Sequence, residues 1–172
     1  MDTTVISLCV VIALLVGGFF AYMLWAQKKF AQLEGDNAKK EEGLRIQMAA
    51  YERLTLLAER TKLSALVNRL YDSGLSARQM QQVFLNNIRE EYDHNVTQQL
   101  YIKPELWEAI TKMKDQNAYI INQLAALAPA NATALDLTKK ILDFNLSNPD
   151  ATMNKLVLDA LQFEVKNLIQ RL

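Results

Sequence analysis

Residues 91–94, Glu91-Tyr92-Asp93-His94, contain the residue types and spacing that come closest to a chemical site in this sequence. Glu-x-x-His sets a carboxylate and an imidazole on one helix face, as in carboxylate-bridged di-iron bundles. Glu90 stands one residue earlier, an i,i+4 step from the same histidine. A complete site of that kind needs two such motifs plus further glutamates, and the chain has a single histidine. A metal-dependent enzyme would therefore have to complete its site in a symmetric dimer. The competing reading is a charged helix end, with His94 close to the last carbonyls.

Other chemistries fare worse. One histidine, and one cysteine placed in an apolar run, remove Ser-His and Cys-His nucleophile arrangements. No CxxC pair or thiolate cluster offers a zinc site, and no Gly-rich loop suits a nucleotide phosphate. Trp107 and the tyrosines fall on apolar stripes, which marks them as core residues rather than a base-stacking platform. With 19 basic and 19 acidic residues the net charge is zero, so nothing favours nucleic acid. The expectation is a non-enzymatic protein with no catalytic residue, no metal site and no cofactor.

What, then, do the elements build? Only 5 Gly and 3 Pro punctuate a chain rich in helix formers, so the fold class is all-α. From Val5 to Trp25, "VISLCVVIALLVGGFFAYMLW" runs 21 residues without a charge. As a helix it extends about 31 Å, the thickness of a bilayer core, and we expect an N-terminal transmembrane anchor over residues 1–26. Lys28, Lys29, Lys39, Lys40 and Arg45 all follow it, whereas Asp2 precedes it. The positive-inside rule then puts the N-terminus outside and the C-terminal domain in the cytoplasm, single-pass in an inner membrane. Tyr22 and Trp25 suit the interfacial belt. Within the span Cys9, Ala13, Gly17 and Ala21 recur every four residues, a small-residue face on which a second helix could pack closely.

Residues 27–43 are polar and interrupted by Gly35-Asp36-Asn37, which predicts a juxtamembrane linker, part helix and part turn. Residues 44–172 should form a helical cytoplasmic domain of about five amphipathic helices. The first is expected from Leu44 to Asp72, with Tyr51, Leu54, Ala58, Leu63, Leu66, Val67 and Leu70 facing the core and Gly74 as stop signal. Ser76-Ala77-Arg78-Gln79 is a capping box that opens the second, and Pro104 with Glu105 starts the third, which Pro129 ends. Thr133 with Asp136 caps the fourth, and Asn148-Pro149-Asp150 opens the last. Asn95-Val96-Thr97 and Asn131-Ala132-Thr133 match the glycosylation sequon, which matters only in a eukaryotic secretory lumen.

In the first of these helices Glu-Arg occurs twice, one heptad apart, as Glu52-Arg53 and Glu59-Arg60. Both pairs fall toward the flank and solvent side. They form either a solvated face or, as flanking charges do in coiled coils, a contact with a partner helix. Arg53, Glu59 and Arg60 are the candidate partner surface, for an unknown protein or a second copy.

The stretches "LRIQMAAYERLTLLAERTKLSALVNRL" and "TQQLYIKPELWEAI" resemble an uncharacterised family of small single-pass membrane proteins from Bacteroidota. The resemblance covers nearly the whole chain and implies a bacterial inner-membrane setting. It implies no activity and no functional residues. The sequence therefore points to a membrane-anchored helical protein-interaction module, an accessory or scaffold component whose partners are the lipid bilayer and a protein.

Overall fold

A computed structural model describes residues 3–148 and 152–170. They form α1 (Thr3–Arg60), α2 (Leu63–Leu70), α3 (Ala77–Asp93), a short 3-10 helix (Val96–Leu100), α4 (Pro104–Ala126), α5 (Ala134–Ser147) and α6 (Met153–Ile169). No strand occurs among the described residues, and the all-α expectation holds. The chain divides into two compact units, Met1–Leu44 and Arg45–Leu172.

The first unit is helical through every described residue. Residues 27–43 are not part turn as expected: α1 continues through Gly35-Asp36-Asn37. One glycine costs a helix about 1 kcal/mol, and the flanking Gln, Lys, Glu, Ala and Leu are all strong helix formers. Among the described residues no helix is long and apolar enough to cross a membrane. The side chains of residues 1–7, 9–11 and 13, which include Val5, Ile6, Val10 and Val11 of the expected span, lie outside the described part. At its other end Trp25 tilts against Tyr22, ring centroids 6.1 Å apart, and carries the Lys29 ammonium 5.0 Å from its ring.

In the second unit the expected helix from Leu44 to Asp72 is broken. α1 stops at Arg60, Lys62 is extended (φ −54°, ψ 139°), and α2 is a separate helix of 8 residues. Gly74 is not the stop: α2 ends at Leu70, Tyr71 is extended, and no described glycine has a positive φ. Gly74 instead donates its N–H to Asp72 Oδ1 at 2.8 Å, an Asx turn leading into α3.

Both capping boxes form as expected. The Gln79 amide donates to Ser76 Oγ, and the Ser76 amide to Gln79 Oε1 at 3.0 Å. Thr133 and Asp136 repeat the exchange at α5. The two caps lie side by side in an isolated antiparallel bridge, with Ala77 N–H donating to Ala132 at 2.9 Å and Ala134 N–H to Leu75 at 3.0 Å. The N-termini of α3 and α5 are thereby clipped together by backbone alone.

One apolar cluster gathers Leu63, Leu66 and Val67 of α2, Met80, Phe84 and Ile88 of α3, Ile120 and Ile121 of α4, and Leu137 and Ile141 of α5. The buried residues Tyr51, Leu54, Leu57 and Ala58 of α1, Leu106, Ile110 and Met113 of α4, and Val157, Leu161 and Leu168 of α6 lie outside it. Each fully buried Leu, Ile or Phe contributes about 1.5–3 kcal/mol relative to an exposed one. Helix α4 serves both groups, its first half one and its second half the other. The expected stripes are largely present, but Leu127 is exposed, as are Tyr71, Tyr101 and Tyr119, and Trp107 is half-buried against Tyr92 at 5.0 Å. The last helix starts at Met153 with Thr152 as its N-cap; Pro149 and Asp150 lie outside the described residues.

Candidate functional site

The C-terminus of α1 needs partners for its final carbonyls, since no further turn supplies N–H groups. Leu57 O accepts from the amide and hydroxyl of Thr61, at 3.1 and 2.8 Å. Ala58 O accepts from Asn154 Nδ2 at 2.8 Å, Arg60 O from Arg69 Nη2 at 3.2 Å, and Thr61 O from Asn117 Nδ2 at 2.9 Å. Asn117, Asn154 and Thr61 are buried, and the Oδ1 atoms of both asparagines accept nothing among the described residues. The neighbouring α2 and, from far along the sequence, α4 and α6 thus end α1 and fix where its last turns lie. Neither asparagine stood out in the sequence, because a polar residue on an apolar stripe carries no signal of its own.

Those last turns and α6 border a groove of ≈ 640 Å³. From α1 it is lined by Met48, Tyr51, Glu52, Thr55 and Leu56, and from α6 by Leu158, Asp159, Leu161, Gln162 and Val165. Its lining is mostly apolar, its charged members are the carboxylates Glu52 and Asp159, and no Lys or Arg lines it. Leu56 stands at its edge, 61% exposed.

The Glu-Arg pairs flank this leucine. At about 100° per residue, Glu52 and Glu59 fall on one side of Leu56, and Arg53 and Arg60 on the other. All four are exposed. Glu59 pairs with Lys62 at 2.6 Å, and Arg60 Nε donates to Glu91 Oε1 at 2.7 Å. Among the described residues Glu52 and Arg53 make no ion pair. Of the expected partner surface, Arg53, Glu59 and Arg60 therefore lie on one face with Leu56, which the sequence reading did not single out.

The Glu-x-x-His residues are placed otherwise. The Glu91 carboxylate faces two guanidiniums, Arg60 and, at 3.9 Å, Arg69. His94 is the exposed C-cap of α3, its backbone N–H donating to Glu90 O at 3.0 Å. Among the described residues no three His, Cys, Asp or Glu side chains gather where a metal ion could sit. Of the small-residue face, Gly17 and Ala21 are exposed, and a Cβ on Gly17 would meet nothing within 4 Å. The side chains of Cys9 and Ala13 lie outside the described residues.

Two shifted groups lie away from the groove. The Thr133 amide, and then its hydroxyl, hold Asp136 below the ordinary carboxylate range. The hydrogen bond from Lys112, reinforced by its charge, does the same for Glu108. Both carboxyls complete helical contacts and neither faces a cavity wall of the groove.

Comparison with known proteins identifies a family. The chain belongs to a family of unknown function, DUF7935, whose model matches residues 1–168. No curated protein and no solved structure matches it.

Proposed function

We propose that this protein is a membrane-anchored helical module that binds another protein, itself included, through the face of α1 around Leu56, and performs no catalysis. The observation that carries the reading is the apolar groove of ≈ 640 Å³ between the last turns of α1 and α6, with a leucine 61% exposed at its edge. Exposed apolar surface that is concave and rimmed by charge is the ordinary mark of a helix-in-groove contact.

The anchor is proposed from the uncharged stretch Val5–Trp25, which lies within α1, and from Trp25 beneath Lys29 at its end. An aromatic and a lysine there match the chemistry of a bilayer interface. The lysines that follow support, by the positive-inside rule, a C-terminal unit on the cytoplasmic side, and the reading sets it in a bacterial inner membrane.

The test is affinity purification in mild detergent of the full chain tagged after Leu172, beside the same chain carrying Leu56→Glu. The reading expects a stoichiometric protein, foreign or a second copy, that Leu56→Glu releases without loss of helicity. A wild-type chain that purifies alone as a monomer would overturn the interaction module. Extraction of the chain from membranes by alkaline carbonate would overturn the anchor.

A further inference from the structure

The arrangement of charge about Leu56 selects one occupant for this face. Acidic residues run down one flank, Glu52 and Glu59, and basic residues down the other, Arg53 and Arg60, at levels about 1.5 Å apart within each pair. When two helices lie side by side in parallel, the left flank of one meets the right flank of the other. In an antiparallel pair each flank meets its own kind. The same face brought against itself in parallel therefore sets carboxylates against guanidiniums on both sides of the seam, and antiparallel contact would set carboxylate against carboxylate.

We propose that α1 pairs in parallel with α1 of a second copy, along the line of Ala49 and Leu56, with Arg53 of each copy opposite Glu52 of the other. This rests on the reading of that face as an interaction surface and names its partner. The inner charges are the ones left for the task, since Glu59 and Arg60 already engage Lys62 and Glu91 within the chain. Asp159, on the far rim of the groove, gives an incoming Arg53 a second acceptor beside Glu52. Leu56 meets its own copy at the centre. Ala49, exposed and one heptad earlier, is small enough for the backbones to approach. Parallel pairing also brings both chains into the contact from the same direction, as two anchors in one bilayer require.

The experiment is disulfide trapping of the full chain in native membranes, with Cys9→Ser so that one introduced thiol is present. Leu56→Cys and Ala49→Cys should each give a linked dimer on mild oxidation. Leu146→Cys, 78% exposed on α5, should not. In an antiparallel pair centred on Leu56 the two 49 positions would stand about 21 Å apart, beyond any disulfide. Charge then tests the mechanism. Arg53→Glu or Glu52→Arg alone should weaken dimerisation, measured by sedimentation in detergent, about tenfold, and the two together should restore it. Absence of a link at 56, a link at 56 without one at 49, equal linking at 146, or no restoration in the double variant each overturns the parallel pair. Linking of position 56 to a stoichiometric foreign protein overturns self-pairing while leaving the interaction surface standing.

Discussion

Asn117→Ala is the substitution that most directly questions how α1 is ended. The Asn117 side chain is fully buried, and its amide is the partner of the Thr61 carbonyl, at 2.9 Å. Truncation strands that carbonyl in the interior, at about 1–3 kcal/mol, and leaves a void that raises the total to about 2–4 kcal/mol. For a helical unit of this size each kcal/mol moves the midpoint by about 3–5 °C, so the midpoint of thermal unfolding followed by circular dichroism should fall by about 6–20 °C. Asn117→Asp separates the hydrogen bond from the void. A carboxylate keeps the volume but has no proton to donate, so at neutral pH it should destabilise more than alanine. Burial beside a carbonyl raises the folded-state pKa of such a group above its unfolded value. The excess destabilisation is then present above the unfolded pKa, near 4, grows to full size only above the raised folded value, and disappears on acidification. Asn154→Ala should act similarly through Ala58 O, and the two together should be non-additive because both hold one helix end. A shift below about 0.5 kcal/mol for Asn117→Ala, or an aspartate as well tolerated at pH 7 as alanine, would refute the account.

Further expectations follow from single contacts. Ser76→Ala and Thr133→Ala should each lower stability by about 1 kcal/mol, read by urea unfolding, and less than additively together because the two caps are bridged. Asp136 lies below its ordinary value of 3.8, so its cap contributes fully above that pH and is lost as pH falls through the lower folded value; amide exchange of the first turn of α5 should accelerate there and be flat in Asp136→Asn. Glu91→Gln should cost about 0.5–1 kcal/mol at low salt, since Arg60 is half exposed, with the difference shrinking in 1 M salt; equal iron, zinc and manganese content in wild type and His94→Ala would accompany it. Gly35→Ala should raise helicity and thermal stability by about 1 kcal/mol, because a Cβ there meets nothing within 4 Å; a loss would restore the turn.

The contrast between what could and could not be read from the residues follows the range of the interactions. Ser76 with Gln79, Thr133 with Asp136 and Pro104 at its first turn act within four residues, and each marks its helix as expected. The break after Arg60 is invisible locally, since "LAERTKLSAL" reads as unbroken helix; it is held by amides 56 and 96 positions away. Gly35 misled in the opposite sense, because a turn signal does not outweigh good helix formers on both sides. Leu56 lies between these cases. The spacing of Leu54, Leu57 and Ala58 already turns it away from their stripe, yet a lone exposed leucine means little. It acquires meaning only once α6 provides the far wall of a groove, Asp159 adds to Glu52 on its rim, and Arg53 remains across the seam with no ion-pair partner among the described residues. The repeated Glu-Arg was visible from the start, but its sense depends on residues a hundred positions later in the chain.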